Sequence, residues 1–147
     1  MSTATATVID TADVTALAVA ADAITPVVTG RSSGGAFELF TLVGPADSGP
    51  PPHSHDWQEV MLVLSGEIDV MVGDSTCRLA AGAAVHVPEN VTHSYRIATP
   101  EARAVVVTST GHASAFFADM DAEVTSPEDL GTMITVAKRH GLSSPLF

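Results

Sequence analysis

Apolar residues recur along this chain in short runs, many of them at every second position, and Gly, Pro, Asp and Ser break the runs. A period of two predicts strands, because alternate side chains of an extended chain point to the same face. Across 36–43, Phe37, Leu39 and Thr41 share one face, and Glu38, Phe40 and Leu42 the other. Across 67–72, Ile68, Val70 and Val72 oppose Glu67, Asp69 and Met71. The run 60–64 is apolar at every position, the pattern of a strand covered on both faces. Segments 76–79, 83–87, 93–97 and 102–108 continue the series, each set off by turn residues. About seven strands at such density predict an all-β barrel or sandwich.

After Gly111 the period changes. "ASAFFADM" and "SPEDLGTMITVAKRHG" predict two short helices. In the second, Ser126 is the expected N-cap, Pro127 the first helical residue, and Leu130, Met133, Ile134 and Ala137 the core-facing stripe. Residues 14–24 read equally as a short helix or a strand arm. The expected organisation is a flexible N-terminus over 1–12, a β-barrel over 13–112, and a helical segment over 113–147 packed on the barrel.

The 147 residues suit one domain with its own core. The single cysteine, Cys77, excludes an intrachain disulfide, fits a reducing, cytoplasmic setting and is expected to be a buried structural thiol. The N-terminal stretch lacks the basic and then apolar regions of a signal peptide, and no apolar run has the length of a membrane span. The formal charge of −11 repels phosphate-rich partners, which excludes nucleic acid as a class.

Candidate chemistry concentrates in "PPPHSHDWQEVMLVLSG", residues 50–66. His53, His55 and Glu59 share parity, so in an extended chain all three point to one side. Two imidazoles and a carboxylate can occupy three positions around one ion. Three prolines stiffen the entry, and the strand after the cluster is apolar. A fourth ligand must come from another strand. His93 opens one after the turn Pro88-Glu89-Asn90, where Asn90 can take the left-handed conformation. Nitrogen and oxygen donors without thiolate suit one divalent transition ion: Fe, Mn, Ni, Co, Cu or Zn.

The two stretches, H53-S-H55-x3-E59-x6-G66 and G82-x5-P88-x-N90-x2-H93, resemble the paired motifs of the cupins. The likeness extends over roughly residues 24 to 142, to small single-domain cupins of the quercetin-2,3-dioxygenase-like group. The pattern departs from the motifs where Asp47 and Asn90 stand in positions that usually carry Gly. Ile97 replaces a frequent Asn. The resemblance implies a jelly-roll β-barrel, an interior metal on His53, His55, Glu59 and His93, and frequent homodimers. It also implies O2-dependent cleavage of a flavonol-like substrate.

The other candidates follow from parity. Tyr95 and Ile97 share parity with His93, and Met61, Val63 and Trp57 lie near the cluster; these five are the expected substrate-pocket residues. Trp57 would lid the site or face a partner. His86 is expected as a rim or core histidine satisfied by a hydrogen bond, or as a substrate contact. His112 is expected on the surface at a helix start, and His140 at a helix C-terminus, where the dipole favours a cation. Phe37 and Phe40 are expected in the core, Phe116 and Phe117 at the barrel mouth. The leading expectation is a metal-dependent dioxygenase for a small apolar or aromatic molecule, with Glu59 as ligand or general base. The alternatives are a metal-dependent isomerase or cyclase of secondary metabolism, and a non-catalytic module that binds a small ligand.

Overall fold

The structure is a computed structural model that describes residues 4–147, so the first three residues of the expected flexible terminus lie outside it. Among the described residues the chain forms nine strands and three α-helices. The strands are β1 (Leu17–Val19), β2 (Asp22–Val28), β3 (Phe37–Pro45), β4 (Glu59–Ser65), β5 (Ile68–Val72), β6 (Ser75–Leu79), β7 (Ala84–Val87), β8 (His93–Ile97) and β9 (Glu101–Ser109). The helices are α1 (Gly30–Ser33), α2 (Ala113–Glu123) and α3 (Leu130–Arg139). The ambiguous stretch 14–24 resolves as strand: it supplies β1 and the start of β2.

All pairings between strands are antiparallel, and they make two sheets, one ordered β1-β2-β3-β9-β4-β7 and the other β6-β5-β8. One core lies between them. The large sheet contributes Ile24, Phe40, Leu42, Met61, Val63, Ala102, Ala104 and Val106; the small sheet contributes Ile68, Val70, Leu79 and Ile97. Ile68 and Ile97 are register partners, both fully buried. The alternation read from the sequence sets this arrangement, since a one-residue slip would turn every core residue of a strand to solvent.

Several expectations need correction. The apolar run in β4 is covered on one face only: Met61 and Val63 are buried, whereas Leu62 is 37% and Leu64 52% exposed. Phe37 points outward with 43% exposure, while Phe40 on the opposite face of β3 is buried. Cys77 is exposed on β6, because that edge strand buries only Leu79. Ser126 does not cap α3. The cap is Asp129, whose carboxylate accepts from the Thr132 N–H at 3.0 Å, so Ser126–Glu128 form a turn before the helix. Of the expected stripe, Ala137 is buried beside Val136, and Met133 and Ile134 are partly buried, whereas Leu130 is 61% exposed.

Candidate metal centre

The two sheets meet where the sequence motifs converge. Glu59 is the first residue of β4 in the large sheet, and His93 is the first of β8 in the small one. His53 and His55 lie on the loop that joins β3 to β4. An isolated antiparallel bridge ties this loop to β8: the His53 N–H donates to the His93 carbonyl at 3.0 Å, and the His93 N–H donates back at 2.9 Å. The three imidazoles are thereby gathered, with nitrogen atoms all within 4.8 Å of one another. Ring centroids of His53 and His93 are 4.4 Å apart, and those of His55 and His93 are 4.8 Å apart.

Each ring is oriented by a backbone carbonyl two residues away. His53 Nδ1 meets the Pro51 carbonyl at 2.9 Å, His55 Nδ1 the Trp57 carbonyl at 2.9 Å, and His93 Nδ1 the Val91 carbonyl at 2.8 Å. A carbonyl only accepts, so each Nδ1 carries the proton and donates. The neutral ring then presents a bare lone pair at Nε2. His55 Nε2 and His93 Nε2 are buried and have no hydrogen-bond partner among the described residues. Glu59 Oε2 lies 3.3 Å from His55 Nε2 and 3.9 Å from His93 Nε2. Lone pairs and a carboxylate oxygen facing one another at these distances repel unless a proton or a cation lies between them. The donor set therefore fits a divalent ion, and the oriented Nδ1–H groups are what ligating histidines ordinarily show.

Electrostatics point the same way. Burial, and then the His93 ring beside it, pull the His53 imidazole down from 6.5 to about 4. Burial also lowers His93. For Glu59, burial pushes the carboxyl up, but the His55 imidazole beside it, and then those of His93 and His53, outweigh it and hold the group below its ordinary 4.5. Near neutral pH, His53 and His93 offer lone pairs and Glu59 offers a negative charge.

Asp47 and Asn90, the two residues that stand in place of Gly, match the backbone that their positions require. Asp47 has φ of 69° and Asn90 φ of 62°, both in the left-handed region. Asp and Asn are the non-glycine residues that enter it most readily. The Asn90 N–H also donates to the His55 carbonyl at 2.7 Å, which fixes the second ligand turn against the first.

The remaining candidates divide. Trp57 is buried, and its ring stacks on His55 with centroids 4.1 Å apart and planes 8° apart, so it forms a wall of the cluster. Met61, Val63 and Ile97 pack in the core. Tyr95 is half-buried, and its hydroxyl donates to Asp22 Oδ2 at 2.5 Å. Asp22 is a residue the sequence reading missed. It is buried, with Oδ1 unpartnered, and burial raises its carboxyl above 3.8. Nothing in the residues around Asp22 shows that it will face Tyr95, 73 positions later. Gly44 makes room for it: a Cβ there would sit 2.1 Å from Asp22 Oδ1. His86 is exposed on the outer face, where Nε2 meets Gln58 Oε1 at 2.9 Å. It borders an open groove of about 270 Å³ that also runs over Phe37, Val60 and Val107. No helix among the described residues is long and apolar enough to cross a membrane.

Known proteins resemble this chain in sequence and in fold. Residues 39–110 match the family model "Cupin domain". The Bacillus subtilis quercetin 2,3-dioxygenase is 33% identical over 89 residues, covering 60% of this chain and 26% of that protein. An uncharacterized protein of Streptomyces coelicolor is 34% identical over 71 residues, covering 48% of this chain and 66% of the other. The chain thus spans about a quarter and about two thirds of the lengths of these two relatives. Among solved structures, KdgF from Halomonas sp. superposes with a TM-score of 0.65 at 16% identity, covering 71% of this chain and 94% of that one. The polyketide cyclase RemF from Streptomyces resistomycificus superposes with a TM-score of 0.63 at 21% identity, over 71% and 80%. Oxalate decarboxylase from Bacillus subtilis gives 0.66 at 15% identity, over 76% and 31%. At these identities the structural likeness carries the fold alone. The paired motifs lie at one junction of two antiparallel sheets, and the matched segment contains both; the chain belongs to the cupin superfamily.

Proposed function

We propose that this protein is a metal-dependent enzyme of jelly-roll form that acts on a small apolar or aromatic molecule, with the ion held by His53, His55, Glu59 and His93. The observation that carries the reading is the set of carbonyl-locked imidazoles whose free Nε2 atoms share one buried pocket with the Glu59 carboxylate. Similarity to quercetin 2,3-dioxygenase supports O2-dependent cleavage of a flavonol-like substrate.

Bound there, a divalent transition ion would supply Lewis acidity and, where the metal is redox-active, access to O2 chemistry. The chain's own residues do the rest. The backbone carbonyls of Pro51, Trp57 and Val91 hold the ring protons on Nδ1, so no imidazole can turn away without losing a bond. Glu59 is held as a carboxylate by its imidazole neighbours and can take up the proton that a substrate hydroxyl or enol gives up. Trp57 shields one side of the cluster from water.

We read the chain as a single unit over 13–112 carrying a helical segment over 113–147. The outward leucines 62 and 64 support a homodimer through the face of the large sheet, and the lone cysteine fits the cytoplasm. The test is metal analysis of freshly purified protein, followed by an O2 electrode with a flavonol. O2 uptake that needs the bound metal establishes the dioxygenase. Proton exchange into an enolisable substrate under nitrogen, without O2 uptake, gives the isomerase or cyclase. Bound metal with neither activity leaves a ligand-binding cupin. Protein that takes up no metal overturns the reading.

A further inference from the structure

Three successive residues of the ligand loop find their backbone partners on two different segments, 90–93 and 143. His53 pairs with His93, and His55 accepts from Asn90, as described above. Ser54, between the two ligand histidines, exchanges both of its backbone hydrogen bonds with Ser143: its N–H donates to the Ser143 carbonyl at 2.8 Å, and its carbonyl accepts from the Ser143 N–H at 3.0 Å. The next residue adds a side-chain contact, as the Ser144 hydroxyl donates to the Pro52 carbonyl at 2.7 Å. The segment that follows α3 is thus a final strand-like rung beside the ligand loop.

Its path is set by the end of the helix. The Leu142 N–H donates to the Ala137 carbonyl at 3.0 Å, and the Gly141 N–H to the Lys138 carbonyl at 3.1 Å. With Gly141 at φ of 77°, these two bonds form a Schellman stop, which reverses the chain sharply. Leu142, 6% exposed, is buried in the core beside the helix residue Ala137. The helix end, the buried leucine and the two serines form one continuous brace. It meets the loop between the two histidines, on the edge opposite His93, because successive backbone groups of an extended chain face opposite sides.

We propose that residues 142–144 are a positioning strap that sets the affinity of the His53 and His55 pair for the ion. This rests on the metal reading above. The i, i+2 spacing presents both imidazoles to one point only while residue 54 stays extended. Its two bonds to Ser143 hold it so. Without them both groups are left to water and the loop gains rotational freedom, which the ion must then remove on binding. Ser143 and Ser144 reach the ion only through the loop, so they are positioning residues and not ligands.

The test uses the full-length chain in three variants: Ser143→Pro, which removes the N–H donor, Ser144→Ala, which removes the hydroxyl, and Ser144→Thr, which keeps it. Zn(II) and Co(II) affinity is titrated in each, beside amide hydrogen exchange across 53–55 and thermal melting of the metal-free protein. Ser143→Pro is expected to weaken metal binding about 10- to 100-fold, the range for residues that orient ligands. Ser144→Ala is expected to give a smaller loss, which Ser144→Thr restores, with faster exchange at Ser54 in both weakened variants. Wild-type affinity and unchanged exchange in Ser143→Pro and Ser144→Ala would overturn the strap. So would affinity losses that follow the fall in melting temperature and that Ser144→Thr fails to rescue. If Ser143→Pro does not fold, the Ser144 pair decides. If the wild-type protein binds neither metal, the centre itself is refuted, and exchange at residue 54 still judges the brace.

Discussion

Six histidines fall into two groups of three, inside and outside the sheets. His53, His55 and His93 spend Nδ1 on a carbonyl of their own loop, and in His55 and His93 the buried Nε2 has no partner. The outer three are otherwise placed. His86 Nε2 meets Gln58 Oε1, and His140 Nε2 meets Asp119 Oδ2 at 2.6 Å on the α2–α3 face. His112 stands exposed before α2. An imidazole whose far nitrogen already has a side-chain partner, or open water, is chemically complete. One whose far nitrogen is buried and bare, beside a carboxylate, is complete only with a proton or a cation. The same residue type thus does two jobs, and the surroundings of Nε2 tell them apart.

The sharpest way to break that contrast is to remove one inner ring and one outer ring in parallel. His93→Ala is expected to lower metal affinity by more than roughly 100-fold, beyond the losses typical of orienting residues. His86→Ala should leave it unchanged. Isothermal titration with Zn(II) or Co(II) reads both, and equal affinities would dissolve the distinction between the groups.

A second, smaller effect is pH-dependent. The folded protein holds His53 neutral down to about 4, whereas the open chain protonates it near 6.5. Below 6.5 the unfolded state binds the extra proton, so this contribution to stability is present above about 6.5 and is lost as pH falls toward about 4. The loss in metal-free protein is on the order of 3 kcal/mol from this group, with His93 adding in the same direction. Urea denaturation at stepped pH measures it. His53→Asn should flatten the profile, and an unchanged slope in that variant would assign the titration elsewhere.

The smallest expected effect lies outside. His86→Ala removes one exposed hydrogen bond and should shift stability by less than about 0.5 kcal/mol, read by the same urea titration. A loss well above that would make the His86–Gln58 pair part of the structure rather than of its surface.

Much of this was legible in the order of residues. Alternating faces mark β3 and β5, because the two faces of a strand meet different surroundings. The i, i+2, i+6 spacing of His53, His55 and Glu59 predicted a shared side, and the left-handed turn at Asn90 predicted where β8 would begin. Other features were illegible for a stated reason. The all-apolar run of β4 read as doubly covered, yet Leu62 and Leu64 face outward, since hydropathy records what a strand can bury and not whether a second layer is there. Phe37 and Cys77 failed in the same way. The N-cap of α3 moved from Ser126 to Asp129, two eligible caps three residues apart between which local preference hardly chooses.

The chain by itself determined the strands, the donor types and their parity, because these depend on neighbours within a few residues. Only tertiary structure decided that His93 would close on the loop, that Asp22 would face Tyr95, and that Ser143 would brace Ser54. Those contacts join segments 40, 73 and 89 positions apart, where no local period reaches and only the packing of two sheets and a helix end brings the groups together.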